Sequence, residues 1–221
     1  MSLVSVSSLT YTARCRRRLP SVKVSDRKFL INTFVDVLVQ NQTALMQQDF
    51  TLTFEAAKKK AMSSPFYKKI FEDGGRYYEG EIRDELKNGI GVLLRENGET
   101  YEGLWQNGVK KGFGKYTFSN GDVYVGNFDG NKPNGHGKKE FALSGSIYEG
   151  QWKDGKATGQ GILSAGFKVL KGEFWDCHLH GFGQLTSSDI KYIGEFRNGE
   201  FDGFGKLENL ELLQRYVGMF Q

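Results

Sequence analysis

Bulky apolar and polar positions alternate along most of this chain. From residue 76 onward, a large side chain, a glycine and a second large side chain recur at positions n, n+2 and n+4. Neighbouring side chains on a strand point to opposite faces, so these three share one face. The set begins with Tyr78 and Gly80 and returns about every 23 residues. It recurs as Tyr101, Gly103 and Trp105, then Tyr124, Gly126 and Phe128, then Tyr148, Gly150 and Trp152. Weaker copies are Leu170, Gly172 and Phe174, then Tyr192, Gly194 and Phe196, then Tyr216, Gly218 and Phe220. A fixed period of this length marks a repeat array, which presents a long binding surface more often than one catalytic pocket.

A Gly-x-Gly pair follows each set, as Gly89-Ile90-Gly91, Gly112-Phe113-Gly114, Gly135-His136-Gly137, Gly159-Gln160-Gly161, Gly181-Phe182-Gly183 and Gly203-Phe204-Gly205. Asn107-Gly108, Asp129-Gly130, Asp154-Gly155 and Asn198-Gly199 lie between the two parts, and such dipeptides are strong hairpin signals. Glycine inside a strand leaves a gap that an aromatic ring of the neighbouring strand can cover. One such hairpin cannot bury its rings alone. Stacked copies bury them, each ring contributing about 1.5–3 kcal/mol. The predicted architecture is mainly β, an elongated single antiparallel sheet of stacked hairpins roughly 60–70 Å long at a strand spacing of about 4.8 Å. An α-helical segment precedes it.

These residues resemble the MORN repeat (membrane occupation and recognition nexus). Its pattern Tyr-x-Gly-x-Trp-x-x-Gly-x-x-x-Gly-x-Gly is met in full from Tyr101 to Gly114, and the copy from Tyr148 meets it through Gly161. The resemblance covers residues 76–221 with about six full copies and a half copy. Several copies depart from the pattern. Ile82 replaces the first aromatic, Lys132-Pro133 is read as lengthening the third copy by one residue, Leu170 replaces a tyrosine, and Ala165-Gly166 shortens a loop. Bends in the array are expected there. The last copy reaches Gln221 after one strand, and the expectation is an open edge available for self-association.

The segment before the array divides in two. Residues 1–25 contain no Asp or Glu but hold Arg14, Arg16, Arg17, Arg18 and Lys23 with eight Ser/Thr, so they read either as a basic flexible tail or as an organelle presequence. Residues 26–75 open with an N-cap at Ser25, and Leu30, Phe34, Val37, Leu38, Leu45 and Leu52 fall near helical spacing. One long helix or two shorter ones fit, and the β-branched run at 35–39 leaves a strand open. The apolar stripe either packs on the first repeat or docks a partner. Lys58, Lys59 and Lys60 suit a helix C-terminus, and Ser63-Ser64-Pro65 stops the helix. Phe66, Tyr67, Ile70 and Phe71 are read as a bridge to the array.

Charge is uneven. Residues 1–75 carry 12 Lys+Arg against 6 Asp+Glu, whereas 76–221 carry 18 against 20. The repeats are too acidic, and their aromatics too committed to the core, for nucleic-acid binding. Arg14, Arg16, Arg17, Arg18, Lys58, Lys59 and Lys60 are candidates for an anionic membrane surface. The two cysteines make no disulfide framework, and no apolar run reaches 18 residues. Cys177-His178-Leu179-His180 lacks zinc spacing, and adjacent strand residues face opposite ways, so it forms no nucleophile pair. No cofactor or metal is expected.

The expected function is a non-catalytic scaffold that binds protein partners along the sheet. The resemblance implies a cytoskeletal or ciliary setting in the cytoplasm. Recruitment to anionic lipid or phosphoinositide is the alternative, as is a mitochondrial or other organellar complex entered through residues 1–25. A regulatory piece of a larger enzyme stays open as well.

Overall fold

The computed structural model describes residues 54–72 and 75–221. Within the described residues one helix, α1 (54–61), precedes the strands. The expected stripe at Leu30, Phe34, Val37, Leu38 and Leu45, the possible strand at 35–39 and the basic tail lie outside them. The helix ends where Ser63-Ser64-Pro65 was read to stop it. Met62 N–H bonds the Lys58 carbonyl at 2.9 Å, and Ser64 N–H then makes a tighter bond to Ala61 at 2.8 Å.

Fourteen strands follow in chain order in one antiparallel sheet. Two compact units divide them. The first holds α1 with β1 (Tyr67–Glu72), β2 (Arg76–Arg83), β3 (Leu86–Leu94), β4 (Thr100–Gln106), β5 (Val109–Thr117), β6 (Val123–Asp129), β7 (Lys132–Glu140) and β8 (Ile147–Lys153). The second holds β9 (Lys156–Ala165), β10 (Lys168–Trp175), β11 (His178–Thr186), β12 (Ile190–Arg197), β13 (Glu200–Asn209) and β14 (Gln214–Phe220). Strand β1 was not foreseen. The residues read as a bridge pair with β2 from Tyr67↔Glu81 to Glu72↔Arg76. Their sequence YKKIFE puts its apolar residues at 67, 70 and 71 rather than in alternation, and it carries no repeat glycine to mark it as a strand.

The repeats are built around a tyrosine, except the copy at Leu170. In the copy from Tyr101, the ring bends along its own strand over Gly103 and across to Gly114. A Cβ on Gly103 would lie 2.6 Å from the Gly114 Cα and 2.6 Å from the tyrosine hydroxyl. One ring therefore needs two facing glycines. It covers the glycine of its own strand as well as that of the neighbour, where only the neighbour had been expected. The hydroxyl donates to the Leu104 carbonyl at 2.8 Å. That carbonyl sits in a bulge, because the pairing jumps from Gly103↔Gly114 to Trp105↔Lys110. The first glycine of each pair completes the bulge with a positive φ, +85° at Gly112.

The same bond recurs from Tyr78 to Glu81, Tyr124 to Asn127, Tyr148 to Gln151, Tyr192 to Glu195 and Tyr216 to Met219, at 2.9–3.1 Å. Tyr78, Tyr101, Tyr124 and Tyr192 are fully buried, whereas Tyr216 is only partly covered. Trp and Phe at n+4 tie copies together edge-on. Trp105 meets Tyr78 and Tyr101 at ring distances of 5.7 and 5.1 Å, Phe128 meets Tyr101 and Tyr124 at 5.1 Å, and Trp152 meets Tyr124 at 5.2 Å and Tyr148 at 5.1 Å. The indoles of Trp105 and Trp152 donate to the carbonyls of Gly91 and Gly137. In the second unit Phe196 and Phe220 pack edge-on against Tyr192, and Phe201 stacks on it at 3.7 Å.

Two departures resolve differently from expectation. Leu170 does not cover its glycines. The buried Leu179 reaches from β11 instead, 3.2 Å from a Cβ on Gly172 and 2.9 Å from one on Gly183. The third copy is not lengthened at Lys132-Pro133. Asp129↔Lys132 pair just as Gln106↔Val109 do, and the turn residues are Gly130 and Asn131, with φ of +55° and +70°. The extra residue lies in loop 141–146, against loop 118–122 one copy earlier. The hairpin at Asp176-Cys177 takes the same two-positive-φ turn as Asn107-Gly108, so Cys177 stands in a glycine's place at φ +70°.

Two substitutions test this account. Tyr124→Phe leaves the bulge carbonyl of Asn127 without its donor and is expected to lower unfolding free energy by about 1–3 kcal/mol in urea titration. Cys177→Gly relieves the left-handed strain and is expected to raise it by about 0.5–1 kcal/mol.

Candidate interaction surface

The tyrosine face is closed by its own ladder. The opposite face is made from the residues between the repeating positions: those one and three after each Tyr and the middle residue of each Gly-x-Gly. In the first unit α1 covers part of it. Phe54, 6% exposed, packs with Val125 against Ile90, Val92, Phe113 and Val123. Lys58 lies 3.6 Å from the Glu79 carboxylate, which also takes Lys69 at 3.4 Å and hydrogen bonds from the hydroxyls of Tyr67 at 2.7 Å and Tyr77 at 3.1 Å. Burial alone would raise the Glu79 pKa. The two hydroxyls and two ammonium groups outweigh it and hold the carboxyl below its usual range. Of the proposed lipid-facing lysines, Lys58 is thus engaged with the sheet, while Lys59 and Lys60 are exposed. Arg14, Arg16, Arg17 and Arg18 lie outside the described residues.

In the second unit the corresponding positions are uncovered. Phe182 is 51% exposed, Phe204 48%, Val217 49% and Met219 59%. Phe204 stands opposite Met219, Lys206 opposite Val217, Ile193 pairs with both Gln184 and Lys206, and Phe182 stands opposite the exposed Glu195, so these side chains share the face of β11–β14 with one carboxylate among them. Period-two alternation was enough to assign them to this face. The repeat glycines and tyrosines drew attention to the other face, and these four residues were missed.

Chemistry is sparse among the described residues. No group of three His, Cys, Asp or Glu is placed to hold a metal ion. Cys177 sits at a hairpin tip, and the neighbouring His178 ring nitrogen lies 2.9 Å from the Asp176 carbonyl. A shallow groove beside α1 is bounded by Glu55, Ala56, Lys58, Lys59, Met62 and Glu79, and it supplies no nucleophile with an adjacent base. No described helix is long and apolar enough to cross a membrane.

The most perturbed base is Lys110, 6% exposed and unsuspected from sequence. Its ammonium lies 3.8 Å from the Tyr116 ring centre and 5.1 Å from that of Tyr101. Burial, with the charge of Arg95, pushes it from 10.5 down to about 8, while the ring faces favour the cation. Between pH 8 and 10 the folded chain releases this proton and the unfolded chain keeps it, so the contribution of Lys110 to stability rises with pH. Above about pH 9 the slope reverses, because burial raises Tyr116 and Tyr192 to about 12 and Tyr67, Tyr101 and Tyr124 further, and the unfolded chain loses those protons first. Urea midpoints are expected to rise by the equivalent of about 0.5–1 kcal/mol from pH 8 to 9, and to fall slightly over the same range in Lys110→Met.

The repeat geometry agrees with comparison to known families. The MORN repeat model matches residues 78–100, 101–123, 124–142, 148–165 and 192–208. The copies beginning at Leu170 and Tyr216 fall outside the matched stretches, and these are the copies with the substituted or half-covered ring. No curated protein matches the chain. With five repeats of one kind across residues 78–208, the chain belongs to the MORN-repeat family.

Proposed function

We propose that this protein is a non-catalytic scaffold whose second unit docks protein partners on the face opposite its tyrosines. The supporting observation is the cluster of Phe182, Phe204, Val217 and Met219, exposed at repeat positions where the first unit carries a helix. Isolated apolar side chains on a surface are ordinary, but Phe204, Val217 and Met219 group on the adjacent strands β13 and β14, with Phe182 two strands away on β11, and such a group marks an interaction site. MORN-repeat proteins are often protein- or membrane-interacting, and a cytoskeletal or ciliary assembly is the setting we favour. Engagement of Lys58 with Glu79 leaves fewer cations for lipid and argues for protein over membrane.

Location in the cell tests this reading. C-terminally tagged full-length protein, a form lacking residues 1–25 and a Phe182→Ser/Phe204→Ser/Met219→Ser form would be imaged side by side. The first two are expected on the same cytoskeletal structure, and the triple variant is expected to leave it while retaining its thermal unfolding midpoint. Entry of full-length protein alone into an organelle would instead make residues 1–25 an address. A triple variant that stays in place would remove the exposed cluster from the docking role.

A further inference from the structure

The two equivalent apolar surfaces differ in the charges at their borders. Helix α1 carries Lys58, Lys59 and Lys60 against Glu55. On the sheet the position after the repeat tyrosine holds Glu79, Glu102 and Glu149, interrupted by Val125, and these carboxylates stand opposite Lys69, Lys115 and Lys138 in turn. A basic helix with Phe54 on its apolar side thus covers an apolar face bordered by Glu79, and the Lys58–Glu79 ion pair joins the two. In the second unit the same repeat position holds Lys171, Ile193 and Val217. The strands beside Val217 add a cluster of three cations around one carboxylate. Glu208 bonds Lys206, stands opposite both Lys191 and Arg215 in the pairing, and is held below its usual pKa by Lys206, Arg215 and Lys191 in turn. The cluster therefore carries an excess of two positive charges at the border of the apolar group.

We infer that the exposed face of β11–β14 binds an amphipathic helix of another protein that carries carboxylates along one flank of its apolar stripe. The apolar stripe lies on Phe182, Phe204, Val217 and Met219, and the acidic flank meets Lys191, Lys206 and Arg215. The choice of a helix follows from the occupant of the equivalent face in the first unit, and the choice of acid from charge complementarity. This rests on the scaffold reading and specifies its partner class.

Two fluorescent peptides of about 18 residues, with Leu at i, i+3, i+4 and i+7, serve as probes. They differ only in carrying Glu or Lys on the flank. Anisotropy titration against the full chain is expected to show the Glu peptide binding at least about tenfold more tightly than the Lys peptide, since three cations each favour it modestly. Preference should fade near 1 M salt, where the screening length falls to about 3 Å. Lys191→Glu/Arg215→Glu should reverse the preference, and Phe182→Ser/Phe204→Ser should abolish binding of both. Equal binding of both peptides that still needs Phe182 and Phe204 would overturn the acidic partner and leave face docking intact. No binding, or binding indifferent to every substitution, would overturn the docked helix altogether. Light scattering that gives two copies for the wild type and one for Phe182→Ser/Phe204→Ser would assign the face to a second copy. Binding that emerges only after removing residues 1–53 would assign it to that segment.

Discussion

Everything in this fold depends on one small arrangement: a tyrosine ring lying over two facing glycines, with its hydroxyl on the carbonyl of a bulge. At Gly126 a Cβ would stand 2.5 Å from the Gly137 backbone, so neither strand could keep its register if a side chain were present. The bulge frees a carbonyl from the ladder, and in a dry interior an unpaired carbonyl costs about 1–3 kcal/mol. The hydroxyl meets that need while its ring fills the space over the glycines. Backbone distortion and ring placement are consequently a single solution, and the edge-on Trp and Phe rings are layered upon it.

That arrangement also explains why the two faces differ in character. The tyrosine face is internally complete, since each ring finds its partners in its own copy and the next. The other face receives whatever side chains lie between, and they are free to vary in charge and bulk without disturbing the ladder. Glu79 and Lys171 occupy the same place in the repeat and have opposite sign. A sheet made this way separates what holds it together from what it can recognise.

Much of this was legible in the sequence because period, glycine pairs and Asn-Gly or Asp-Gly turns all act locally. The hairpins at Asn107-Gly108 and Asn198-Gly199 follow directly from those dipeptides, with both residues at positive φ. The bulge was not legible, since no residue type marks it; only the three-dimensional reach of Tyr101 to Leu104 reveals it. Strand β1 escaped because it borrows its pairing from β2 and contains no repeat element of its own. The substitution of Leu179 for a missing ring needed knowledge of which side chain could cross between strands. The exposed cluster on β11–β14 was written in the alternation, but exposure depends on what covers a face, and a one-dimensional pattern does not record that.

The fixed reach of the tyrosine has a consequence for how such a chain can change over time. From each repeat tyrosine, or Leu170, to the second glycine of its pair the separation is always 13 residues, as from Tyr101 to Gly114 or Tyr192 to Gly205. From that glycine to the start of the next copy it ranges from 9 to 11, as from Gly183 to Tyr192 and from Gly205 to Tyr216. One margin of the sheet is therefore frozen in length, and the other tolerates insertion and deletion. Novelty in such a lineage accumulates along a single border, where loops lengthen at no cost to the ring beneath, and grafted sequences in an engineered version belong there too.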